Sequence, residues 1–420
     1  MSKLDLEKLT LWSLALGFAL YVYRLDLAGV NLSVLRVVGA VLIVRCVLVV
    51  AMRIFGNWAL RWPAVVMLVS TFFVFALNLL DYAQLAPLPG LRTPIAAHLF
   101  NIVLFIAVFA YLDTERKFVL SLKTYVWASC AALFIGYYAY FFGDIPFSFL
   151  LHAYGSSFAR DLNYLNVNDG VVRLTGPFYD PNFYGIYLLS VAIACAWLYK
   201  HFERSPLYVA VMVVSVFSIF LTESRTALMG LGVAYLCYIG LESRNKSFHL
   251  RTLYILGLIG IIVFVSGVSS GRLFDMDSVS DRFRFYETAW RAFSDNVFFG
   301  GGSAAVLEQE SGVSTAHMVY LSLLGKYGLF GTAIYLVFIF CPLAYAYLVR
   351  HALQERYRNL VVYLFVPLAA MYVSYDFMTF LEFEYFLFAI GYAAVTYDFA
   401  AAYGTAAPSV AVSGEPFGAV

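Results

Sequence analysis

The sequence predicts an all-α polytopic membrane protein of about twelve transmembrane helices, with two long loops on one side of the bilayer. Three observations carry this. Hydrophobic residues make up 62% of the 420 and charged residues only 13%, against roughly 45–50% and 25% in soluble domains. Apolar runs of the roughly 17–25 residues that cross a hydrocarbon core of about 30 Å as helix recur from end to end. Lys and Arg collect in alternate connections between these runs, as the positive-inside bias requires.

In order, the runs fall at 9–23, 33–54, 63–79, 95–112, 124–142, 183–198, 207–221, 226–241, 252–266, 331–348, 360–374 and 385–401. The first follows Lys3 and Lys8 without a small-residue cleavage site, so it is read as a retained span. One set of connections holds Arg53 and Arg61; Arg116, Lys117 and Lys123; Lys200 and Arg204; Arg244, Lys246 and Arg251; and Arg350, Arg356 and Arg358. The opposite short loops hold little beyond Arg24 and Arg92. Both termini are therefore expected in the cytoplasm. Residues 1–401 read as one membrane domain, with outer loops at 143–182 and 267–315, and 402–420 reads as a disordered cytoplasmic tail of small residues with Pro and Gly. No sustained repeat divides the chain. The five cysteines, Cys46, Cys130, Cys195, Cys237 and Cys341, all fall inside runs at no metal-ligand spacing. They are expected to be buried thiols.

The segment TESRTALMGLG, 222–232, places Glu223 and Arg225 between two apolar runs. One helix over 207–241 would be about 50 Å long, too long for a single crossing. TESR is therefore read as the turn of a helical hairpin at the outer face. A snorkelling interfacial anchor is the bland account of Arg225. Arg173, Arg282, Arg284 and Arg291 lie on the same outer side, against the bias the other loops obey. The planar fork of arginine suits phosphate oxygens, so the group points to a phosphorylated ligand at the outer leaflet. For Arg272 and Arg291 a solvated surface is the simpler account.

His317, in STAHMVYLSLLGKYGLFG, ends the second long loop and is a candidate acid or base beside the basic cluster. The other histidines, His98, His152, His201, His249 and His351, read as structural. Arg36 and Arg45 stand within one run on opposite helical faces, so they are not expected to grip one ligand together.

Three segments together resemble the O-antigen ligase and Wzy-type O-antigen polymerase superfamily. They are RLTGPFYDPNFYGIYL (173–188), TESRTALMGLG, and His317 with Gly328 and Gly331 beyond it. DRFRFYETAWRAF (281–293), followed by Gly300, Gly301 and Gly302, is similar to the loop preceding the histidine in that family. The resemblance implies a GT-C-like glycosyltransferase of the bacterial inner membrane with a periplasmic site. Its donor would be a glycan carried on undecaprenyl pyrophosphate, transferred to an acceptor sugar with inversion. By resemblance, Arg225 and one of Arg282 or Arg284 would bind the pyrophosphate, and His317 would act as general base. Arg173, Asp180 and Glu223 would hold the glycan or organise the loop, although Asp180 before Pro181 also reads as a helix start. The resemblance implies metal independence and no cofactor beyond the carrier lipid. It implies a glycan or lipid A core acceptor, with a chain-length regulator and a flippase of the same pathway as partners. No nucleic-acid partner is expected.

Polymerase and ligase both fit these motifs, with polymerase for an O-antigen or exopolysaccharide slightly favoured. A lipid-linked-sugar flippase is the reading from another class. It expects paired repeats and charges near the midplane, whereas here the charge gathers in outer loops.

Overall fold

The computed structural model describes residues 24–27, 30–33, 62–84, 89–143, 173–178, 180–242, 276–306, 318–351, 353–373 and 382–397. The runs expected at 9–23 and 252–266, nearly all of that at 33–54, most of the first outer loop and the tail 402–420 lie outside these residues. The described architecture is helical, with one small exception. Strands β1 (Arg24–Leu27) and β2 (Val30–Ser33) pair antiparallel, with Arg24 opposite Ser33 and Leu27 opposite Val30. The second run was expected to begin as helix at Ser33, but Ser33 ends this ribbon. The alternation of apolar and polar residues in RLDL and VNLS has the period of a strand, which a window sized for a span averages away.

The helices are α1 (Trp62–Gln84), α2 (Pro89–Tyr111), α3 (Glu115–Phe142), α4 (Pro181–His201), α5 (Pro206–Leu221), α6 (Arg225–Glu242), α7 (Met276–Asp295), α8 (Gly302–Val306), α9 (Val319–Leu348), α10 (Glu355–Met371) and α11 (Glu382–Thr396). Among the described residues four, α1, α3, α4 and α9, are long and apolar enough to cross a membrane, and α2, α5, α6 and α11 contribute shorter apolar stretches. Their limits follow local chemistry. Asp180 and Ser205 accept from the backbone N–H two residues on, each followed by a proline in the first turn. Gly143 ends α3 in the left-handed conformation, its N–H returning to the Ala139 carbonyl.

The hub is α4, which packs against α3, α5, α6 and α10 and buries residues around its whole circumference. A helix surrounded by protein needs no polar face. Tyr125 and Ser190 share a 2.7 Å hydrogen bond across the α3–α4 contact, and Tyr187 packs edge to face on Tyr125. The four cysteines among the described residues are free thiols in α3, α4, α6 and α9.

The length of α4, roughly 30 Å, separates two chemically different ends. At one end Lys123 pairs with Glu203 at 2.6 Å and Arg356 with Glu115 at 2.5 Å, while the Trp197 indole donates to the Arg356 carbonyl at 2.7 Å. These residues belong to the basic connections. At the other end stand Arg173 and Arg225, and Gly230 of α6 abuts Met371 at the close of α10.

Within the segment read as the second outer loop, the described residues 276–306 are largely helical, since they hold α7 and α8. Phe285, Ala289 and Ala292 form the buried stripe of α7, which packs on α9. Ser303 in α8 gives its N–H (2.9 Å) and its hydroxyl to the buried Asp81 carboxylate of α1. The loop is thereby tied to the transmembrane body.

Candidate functional site

The TESR turn is an interhelical corner. Thr222 closes α5, Glu223 takes φ +49°, and Ser224 caps α6, its hydroxyl oxygen accepting from the Ala227 N–H at 3.2 Å. The same Ser224 hydroxyl donates to Oδ1 of Asn182 at 2.7 Å. Asn182 lies in the first turn of α4, where its own N–H donates to Asp180 at 2.6 Å. The N-termini of α4 and α6 therefore meet side by side. Gly185 permits the approach, since a Cβ there would stand 2.5 Å from that of Ala227. Two helix N-termini at one point add their positive partial charges. Arg225, first residue of α6, is exposed beside them.

Arg173 holds the corner from outside. Its Nε donates to the Thr222 carbonyl at 2.9 Å and an Nη to the Glu223 carbonyl at 3.3 Å, while the Leu174 N–H donates to the Leu221 carbonyl at 3.0 Å. A guanidinium is well suited to carbonyls at a helix C-terminus. Burial raises the Asp180 carboxyl above the usual carboxylate range, opposed by the Asn182 N–H and by the charge of Arg173. Glu223 is exposed at the apex of the turn. Replacing Ser224 by alanine removes the α6 cap and the donor to Asn182. The expected loss is about 1 kcal/mol, read as a lower melting temperature of the purified protein.

The remaining candidates lie on α7 and beyond it. Arg284 is exposed, and Arg291 pairs with Glu287 at 2.5 Å one turn before it, on the surface. Arg282 is in the same helix, and its side chain lies outside the described residues. His317 also lies outside them. Its neighbours are fixed nonetheless. The Val319 N–H donates to the Tyr372 carbonyl at 3.0 Å, and the Tyr372 hydroxyl donates to Glu384 Oε1 at 2.9 Å.

Glu384 is fully buried, and the sequence reading missed it. The run set at 385–401 began one residue too late, which made a carboxylate buried in the protein look like a loop residue. Asp81 was lost in the same way, just past the run set at 63–79. An acidic residue inside an apolar run was the available signal in both cases. His98 is buried, with its ring nitrogens 3.0 and 3.1 Å from the Tyr385 hydroxyl. Among the described residues no group of three or more His, Cys, Asp or Glu could hold a metal ion. A cleft of about 360 Å³ lined by Glu115, Arg116, Lys123 and Phe202 lies at the opposite end from Arg225.

Residues 210–336 match the family model described as O-antigen ligase. This segment is similar to the O-antigen ligase family, which supports the resemblance to the O-antigen ligase and Wzy superfamily. No curated protein matches the chain at significant similarity. The matched segment takes in the TESR corner, α7, α8 and the first part of α9. Arg173, Asp180 and Glu384 lie outside the matched segment but are packed against it or against elements that enter it.

Proposed function

We propose that the protein is an inner-membrane glycosyltransferase acting at the periplasmic face on glycans carried by undecaprenyl pyrophosphate, most simply as a Wzy-type polymerase. The observation that carries this is the coincidence of the O-antigen ligase match with a corner where two helix N-termini converge under Arg225. Such a corner favours an anion. In the proposed reaction the acceptor hydroxyl oxygen attacks the anomeric carbon of the donor. The bond from that carbon to the pyrophosphate oxygen breaks with inversion, and the hydroxyl proton passes to His317. Undecaprenyl pyrophosphate departs with the electron pair, its charge neutralised by Arg225 and one arginine of α7. Arg173 acts by holding the corner.

Positions 282 and 284 stand two residues apart on α7, about 160° from each other around the helix. Arg284 shares a solvent-facing stripe with Glu287 and Arg291, whereas position 282 borders the stripe of Phe285, Ala289 and Ala292 that packs on α9. This favours Arg282 as the phosphate ligand. The reading further holds that the chain crosses about twelve times in a GT-C-like arrangement with both termini cytoplasmic, and that the reaction needs no metal. Its partners would be a chain-length regulator and a flippase of the same pathway. The ligase reading, with lipid A core as acceptor, is favoured by the description of the family that matches.

The test compares surface and lipid-linked glycans on a gel after deletion of the gene, with wild type or His317→Ala restored on a plasmid. Single repeats on the surface lipid identify a polymerase, and long chains retained on the carrier lipid identify the ligase. Repeats trapped on the cytoplasmic side would overturn both readings in favour of a flippase. Wild-type pattern with His317→Ala would remove His317 from the mechanism.

A further inference from the structure

We infer that α7 and the turn after it are seated in membrane lipid, so that part of what the sequence assigns to an aqueous outer loop is a membrane-embedded wedge. Three sectors run along α7. Phe285, Ala289 and Ala292 are packed against protein, Arg284, Glu287 and Arg291 form a charged stripe, and Phe283, Tyr286, Trp290 and Phe293 lie between these two. Phe283 is 65% and Trp290 55% exposed. The turn continues this sector, with Phe298 and Phe299 each 67% exposed. An aqueous loop has no use for four such rings, whereas amphipathic helices in membrane interfaces bury one apolar side and keep a charged side wet.

The depth follows from α9. Gly328 takes φ +60° and ψ −165° and breaks that helix. The Leu329 and Phe330 amides freed by the break donate to the carbonyls of Val297 (2.8 Å) and Phe298 (3.1 Å), and the Gly301 amide donates to the Gly325 carbonyl at 2.9 Å. The turn is thus fixed at the break. From there to Leu348 helical rise gives roughly 30 Å, the hydrocarbon thickness. At the far end Arg350 stands 5.5 Å over the Tyr347 ring, an interfacial pair that marks the other boundary. The break, and the rings docked on it, therefore lie at the near hydrocarbon boundary.

Two further observations favour lipid as the occupant. The exposed apolar surface runs without interruption from the tip onto Leu329 and Phe330 of α9, the Phe299 and Phe330 rings lying 6.2 Å apart. Part of the turn's backbone is paired within the turn: the Asn296 amide donates to the Phe293 carbonyl, the Phe299 amide to the Asn296 side chain and the Gly300 amide to the Asn296 carbonyl. Irregular backbone exposed to lipid does not enter the hydrocarbon, so the turn itself sits at the boundary and only its rings reach inward. Seated so, position 282 comes to the level of lipid headgroups, where a lipid-linked pyrophosphate travels. That consequence, and the assignment to the periplasmic leaflet, rest on the proposed function; the insertion does not.

The test is tryptophan quenching in full-length protein reconstituted into bilayers of dibrominated-chain phosphatidylcholine or its unbrominated parent. The Phe298→Trp variant, read as the difference from wild type, is expected to lose at least half its added fluorescence in brominated lipid and to resist aqueous iodide. The difference between wild type and Trp290→Phe should show the same preference using the native ring. Quenching by iodide and not by bromine would put the wedge in water and overturn the inference. Protection from both, with a cross-linked dimer through the tip, would assign the surface to a second copy and overturn it equally. Neither readout requires glycan transfer, so loss of the proposed enzymatic role would leave this result standing.

Discussion

Arg225→Ala is expected to leave the protein inserted and folded while lowering turnover of the lipid-linked donor by roughly 100–1,000-fold, the usual cost of removing one electrostatic stabiliser of a developing charge. The position of Arg225 sets this expectation. Arg225 is the first residue of α6, exposed at the point where Ser224 ties α6 to the first turn of α4. A cation there adds to two converging helix N-termini and faces outward. Arg225→Lys keeps the charge but not the planar fork, so part of the activity should survive. Arg173→Ala should behave differently, because its guanidinium is bonded to the Thr222 and Glu223 carbonyls. It should lower thermal stability together with activity. Turnover in proteoliposomes and melting temperature, measured on the same preparations, separate the two outcomes. Unchanged turnover with Arg225→Ala would take the corner out of the mechanism.

Gly328→Ala is expected to be the most damaging single methyl group in the described chain. The φ and ψ of Gly328 belong to a region that is essentially glycine's alone, and a Cβ would stand 2.4 Å from the backbone of Phe298 and Phe299. Backbone cannot swing aside as a flexible side chain does. Either α9 straightens and expels the 296–301 turn, or the turn shifts with α7. The expected cost is about 3 kcal/mol or more, read as a fall in melting temperature in detergent, with glycan transfer lost in parallel. Gly240→Ala is the control. No atom lies within 4 Å of a Cβ at that helical position, so the change should be neutral or stabilising by up to about 1 kcal/mol. Equal melting temperatures for the two variants would refute the docking argument.

The turn at the candidate site was legible because charge inside an apolar sequence is conspicuous. Glu223 and Arg225 broke a hydrophobic stretch too long for one crossing, and a turn was the available solution; the structure places that turn between α5 and α6. The division of α7 into stripes was also present in DRFRFYETAWRAF, but the aromatic sector was not separated there from the packed one, since both are apolar. Arg173 read as a possible ligand for glycan, yet its bonds to carbonyls 49 and 50 residues away had no local sign. Glu384 and Asp81 sat one or two residues beyond runs whose ends a hydropathy window cannot fix.

The sequence by itself determined that the chain is helical, that it lives in a membrane, and that its two ends differ in charge, because length, hydropathy and charge are properties of contiguous residues. Only the tertiary structure decided that α4 and α6 begin side by side, that Asp81 reaches across to Ser303, and that α9 breaks at Gly328 to receive the 296–301 turn. Each of these joins residues distant in sequence, and their hydrogen-bonding partners are chosen by which groups packing leaves without water.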